Sequence, residues 1–114
     1  MAFQMHLDTA HPEPEQAYRE FALDRPGKII FVGHHLSTAT QLRCLIRSIT
    51  LAGATLEVNA SIEMPNHFFL EILGIQDEIG ATLVKREGDL ATISFNMLIN
   101  PEFLHHVLRL SFEN

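Results

Sequence analysis

The chain has 114 residues, 46% hydrophobic and 19% charged, which fits one globular domain able to bury its core without disulfide or metal staples. Eight basic against 14 acidic residues leave a net charge of −6, which argues against general DNA or RNA binding, because phosphate contacts need a basic field. A small anionic ligand held by a few local arginines stays open.

Residues 1–24 read as an N-terminal extension. Within it, PEPEQAYREFALD (12–24) predicts a short amphipathic helix. Pro12 and Pro14 sit near its start, Glu13 and Glu15 suit the positive end of a helix dipole, and Ala17, Tyr18 and Phe21 recur at helical spacing. From Arg25 the texture becomes strand. Lys28–Val32 is a β-branched run, and Gly33–Thr38 reads as a turn. Along Gln41–Ile49, Leu42, Cys44 and Ile46 fall on one face, with Arg43, Leu45 and Arg47 on the other. Ala54, Leu56 and Val58 alternate next, and a polar connection over Asn59–His67 contains Pro65. Phe68, Leu70 and Ile72 form the following strand, and Gly74–Glu78 a turn. Ile79–Arg86 and Leu90–Asn96 flank Glu87-Gly88-Asp89, a tight-hairpin composition.

About six short strands with turns between them predict a small all-β barrel or sandwich. The tail differs. Asn100 suits an N-cap, Pro101 a first helical residue and Glu102 a first turn, so a C-terminal helix is expected over 101–110. Nothing suggests a second domain. The N-terminal stretch lacks a basic region followed by an apolar run, and no segment reaches the ~18 apolar residues of a membrane span. A cytoplasmic protein without membrane insertion is expected.

Few residues carry chemistry. Cys44 is the one cysteine and lies in an apolar alternating run, so it reads as a buried hydrophobe. The seven histidines include the adjacent pairs His34-His35 and His105-His106, whose side chains diverge on a strand or helix. No metal or cofactor is expected, and no nucleophile elbow, zinc motif or nucleotide-binding glycine loop occurs. The chain reads as a non-enzyme. Arg43 and Arg47 are spaced to share one face of a strand, where cross-strand pairing with Glu57 is the simplest role.

The stretch Cys44-Leu-Ile-Arg-Ser-Ile-Thr-Leu-Ala-Gly-Ala-Thr-Leu-Glu-Val58 resembles the signature region of PilZ domains. Pro65, the Phe68-Phe-Leu70 strand and a hairpin ending in Ile93-Ser-Phe95 follow in the family's order. The resemblance covers residues 25–96, about two-thirds of the chain. It implies a six-stranded antiparallel β-barrel with a C-terminal helix over 25–114. It also implies a bacterial signalling module that binds cyclic di-GMP or contacts a protein partner.

The family binds that ligand through Arg-x-x-x-Arg before the first strand and (Asp/Asn)-x-Ser-x-x-Gly at a turn. Here Ser48 stands at the Asp/Asn position, Thr50 at the serine, and Gly53 matches. Arg19 and Arg25 occupy the arginine segment but lie six apart. The ligand set implied by the resemblance is therefore Arg19, Arg25, Ser48, Thr50 and Gly53. One missing arginine and one missing acid cost roughly 3–6 kcal/mol, or about 10²–10⁴-fold in affinity. A degenerate domain acting through protein contact is the alternative, with the C-terminal helix (Phe103, Leu104, Leu108) or a strand edge as its surface.

Overall fold

The structure, a computed structural model, describes residues 18–32 and 39–113. Six antiparallel strands close into a barrel: β1 (Phe21–Val32), β2 (Ala39–Ile49), β3 (Gly53–Glu57), β4 (His67–Ile72), β5 (Glu78–Glu87) and β6 (Leu90–Phe95). Their order around the barrel is β1-β2-β3-β6-β5-β4, and β4 pairs back onto β1. One helix, α1 (Pro101–Glu113), follows. The expected all-β barrel with a C-terminal helix is what forms, and closure leaves the sheet no continuous open edge.

Alternation builds the core. Ile29, Ile46, Ile49, Leu56, Leu70 and Ile72 are fully buried inside the barrel. Fully burying such a side chain stabilises by roughly 1.5–3 kcal/mol. Leu104 and Val107 of α1 join the same core, with Phe103, Leu108 and Leu110 packed against it. Asn100 caps the helix as its sequence suggests: its Oδ1 accepts the Glu102 N–H at 2.7 Å, and its carbonyl accepts the Leu104 N–H at 3.0 Å. The β5–β6 hairpin pairs Glu87 with Leu90 across Gly88-Asp89. Gly88 alone has positive φ there, 59°, as the first central residue of a type II′ turn requires.

Three sequence expectations change. Phe21–Asp24 are strand and not helix, because Phe21 and Ala22 pair with Ile49 and Ser48 of β2. Tyr18, Arg19 and Glu20 are not helical either, while residues 12–17 of the expected helix, the Gly33–Thr38 turn, and His6, His11, His34 and His35 lie outside the described residues. The helix face offered as a partner surface is instead packed on the barrel, with Leu104 buried and Leu108 half-buried.

Arg43 and Arg47, third, do not form one regular stripe. Both ladders of β2 shift at Arg47: Ile46 pairs with Leu56 but Ser48 with Thr55, and on the other side Arg25 pairs with Ile46 but Ala22 with Ser48. This bulge changes the phase of alternation, so Ile46 and Ile49 both face inward. Arg47 bonds Glu57 at 2.8 Å and Asp24 at 3.2 Å, the cross-strand pairing expected for it. All three side chains are well exposed, so each contact is worth at most about 1 kcal/mol.

A second bulge at Val84 has a similar effect on β5. It leaves Val84 exposed and turns Arg86 towards the barrel end, where its guanidinium donates to the carbonyls of Val58, Asn59, Ile62 and Gly88.

Candidate functional site

The turn on which the resemblance rests joins β2 to β3 through Thr50, Leu51 and Ala52. Thr50 organises it. Its Oγ1 accepts the N–H groups of Ala52 and Gly53, both at 2.9 Å, and its own N–H donates to the Gly53 carbonyl at 2.8 Å. Such hydroxyl-to-backbone bonds stabilise a tight turn. Leu51 plugs the core from this turn. The Ile99 N–H donates to the Leu51 carbonyl and the Phe95 N–H to the Ala52 carbonyl, so the turn is tied to the chain entering α1.

Gly53 is required for a different reason than a turn conformation. Its φ is not positive, but a Cβ there would overlap the Ile93 carbonyl of β6. The glycine permits close approach of β3 to β6.

Ser48 points outward beside this turn and donates from Oγ to Glu20 Oε2 at 2.6 Å. A cavity of about 380 Å³ lies alongside, lined by Tyr18, Glu20, Ser48, Thr50, Thr92 and Ser94 among others. Ser48, Thr50 and Gly53 thus share one site. Its chemistry is one carboxylate and several hydroxyls, suited to a donor-rich ligand edge.

The two arginines implied by the resemblance are not in the lining. Arg19 stacks over the Phe21 ring, 5.0 Å from its centroid. Arg25 engages the turn after β4 and the last turn of α1. Its Nε donates to the Leu73 carbonyl at 2.9 Å and its Nη1 to the Leu110 carbonyl at 3.3 Å. A half-buried guanidinium with its hydrogens committed to carbonyls is a structural tie.

Glu20 is the site residue that sequence reasoning missed. It sits in a segment read as helix, with no periodic signal to set it opposite Ser48. A carboxylate therefore stands next to Ser48 but comes from another part of the chain.

Cys44 is buried on β2 opposite Gly27 of β1, and burial pushes its thiol from 9.0 up to about 12, partly offset by a backbone hydrogen bond from Gly27. Such a thiol is inert. Among the described residues, no three His, Cys, Asp or Glu side chains converge as a metal site, and no helix is long and apolar enough to cross a membrane. No family model, curated protein or solved structure matches this chain.

Proposed function

We propose that the chain is a PilZ-type signalling barrel, non-enzymatic and cytoplasmic, that works by contact with a protein partner and does not capture cyclic di-GMP in the family's manner. The observation that carries this is the commitment of Arg25 to the carbonyls of Leu73 and Leu110. Cyclic di-GMP carries two phosphates, and no lysine or arginine lines the signature cavity to meet them. With the apolar face of α1 spent on the core, the contact surface falls on the exposed Phe69 of β4 and the exposed Met97 just after β6.

A second reading rests on the Ser48–Glu20 bond. Glu20 supplies a carboxylate where the family's Asp or Asn is missing, and a guanine edge presents two N–H donors to such a group. In that case the barrel is a cyclic di-GMP receptor using Glu20, Ser48 and the signature turn, with Arg19 as the nearest cation in sequence.

Calorimetric titration with cyclic di-GMP separates the two. Absence of saturable heat at high micromolar ligand is expected. Saturable binding abolished by Glu20→Gln would overturn the proposal in favour of the receptor. Pull-down of a partner that Met97→Asp releases and Lys85→Ala retains is also expected. Retention by Phe69→Asp and Met97→Asp alike would remove that surface.

A further inference from the structure

The chain has eight lysines and arginines, all within the described residues. Six are engaged. Arg25 and Arg86 hold carbonyls, Arg47 and Lys85 hold carboxylates, Arg19 stacks on Phe21, and Arg109 also has a partner. Lys28 and Arg43 have no ion pair or hydrogen bond among the described residues. These two are direct register partners on β1 and β2. Like charges placed opposite one another on neighbouring strands repel and weaken a sheet. Among the described residues, the two unengaged cations of an acidic chain stand side by side.

A cavity of about 580 Å³ lies against that pair. Its volume falls in the range of small-molecule sites. Lys28 and Arg43 line it, with Pro26, Leu73 and Ile75 as apolar wall and Gln76 as an amide that both donates and accepts. Glu71 lines it too, as the register partner of Lys28 on β4. The row Arg43–Lys28–Glu71 therefore sets two positive charges against one negative.

We propose that this cavity binds a phosphate monoester with a nucleoside-sized body, its phosphate held between Lys28 and Arg43. A phosphate offers three acceptor oxygens, enough to satisfy an ammonium and a guanidinium together and to remove their mutual repulsion. The body lies along Pro26, Leu73 and Ile75, within reach of Gln76. The Leu73–Gln76 turn walls the cavity, which favours a compact ligand over an extended acidic peptide. Glu71 limits affinity by facing the same anion. The site is separate from the signature turn and stands independently of the proposed function.

Titration of the full chain with AMP, adenosine and inorganic phosphate, followed through backbone amide shifts, tests it. AMP is expected to give saturable shifts at Lys28, Arg43 and Gln76, with adenosine and phosphate each binding at least about tenfold more weakly. Lys28→Ala and Arg43→Ala should each weaken AMP about tenfold, and Glu71→Gln should tighten it about threefold. Lys85→Ala should change nothing. No saturable shift at low millimolar AMP overturns the site. So does equal binding of adenosine, or AMP binding indifferent to Lys28→Ala and Arg43→Ala. Shifts confined to Ser48–Gly53 would assign binding to the signature turn and reject this cavity.

Discussion

Arg25 and Leu110, 85 positions apart, are joined by a hydrogen bond from the guanidinium Nη1 to the backbone carbonyl at 3.3 Å. Leu110 lies in the last turn of α1, where carbonyls lack partners within the helix. The last turn carries no basic residue of its own, so Arg25 supplies the positive charge that the helix C-terminus favours. One side chain docks the helix and braces the turn after β4.

Arg25→Ala should therefore destabilise the fold by about 1.5–3 kcal/mol, the usual loss for a charge-assisted bond. Chemical denaturation measures this, and amide exchange in the last turn of α1 should rise with it. Arg25→Lys should recover only part, since one ammonium cannot reproduce the planar fork that reaches both carbonyls.

The β2–β3 turn should respond to hydroxyl and volume separately. Thr50→Val leaves the Ala52 and Gly53 N–H groups without their acceptor and should cost about 1–2 kcal/mol. Thr50→Ser should stay near wild type. Gly53→Ala drives a methyl into the Ile93 carbonyl and should cost at least about 3 kcal/mol, because backbone on both strands must shift. Thermal melts of the three variants give the ranking.

Cys44 should resist alkylation in the native state at pH 8 and react on unfolding. The pH dependence follows from its raised thiol pKa. Below 9.0 both states hold the proton, so this group adds no slope. Between 9.0 and about 12 the unfolded chain loses the proton while the folded chain keeps it, so stability falls as pH rises. The fall should approach about 1.4 kcal/mol per pH unit within that window. Denaturant unfolding across it should show a shallower decline in Cys44→Ala.

Helix α1 should behave as core. Val107→Asp places a charge at a fully buried position and should remove at least about 3 kcal/mol or prevent folding. His105→Ala and His106→Ala, both exposed, should stay within about 0.5 kcal/mol. Circular dichroism melts distinguish the two classes.

Much of the barrel was legible because its signals are local. The alternation of Ala91, Ile93 and Phe95 needs only neighbouring residues to be read, and all three are buried. The Asn100 cap and the Gly88-Asp89 hairpin are equally local. The bulges at Arg47 and Val84 were not legible, because a bulge exists only relative to the strand it faces. For the same reason Phe21–Asp24, which carry helical spacing, become strand once β2 lies alongside them.

The composition, the alternation and the cap determined an all-β chain with a terminal helix, since burial of apolar faces obeys the period of the backbone. What each polar side chain does was decided by tertiary structure. Glu20 meets Ser48, Arg25 reaches two distant carbonyls, and Lys28 faces Arg43 across a ladder. Hydrogen bonds and charges act over a few ångströms in space, and barrel closure brings together residues that their order in the chain holds far apart.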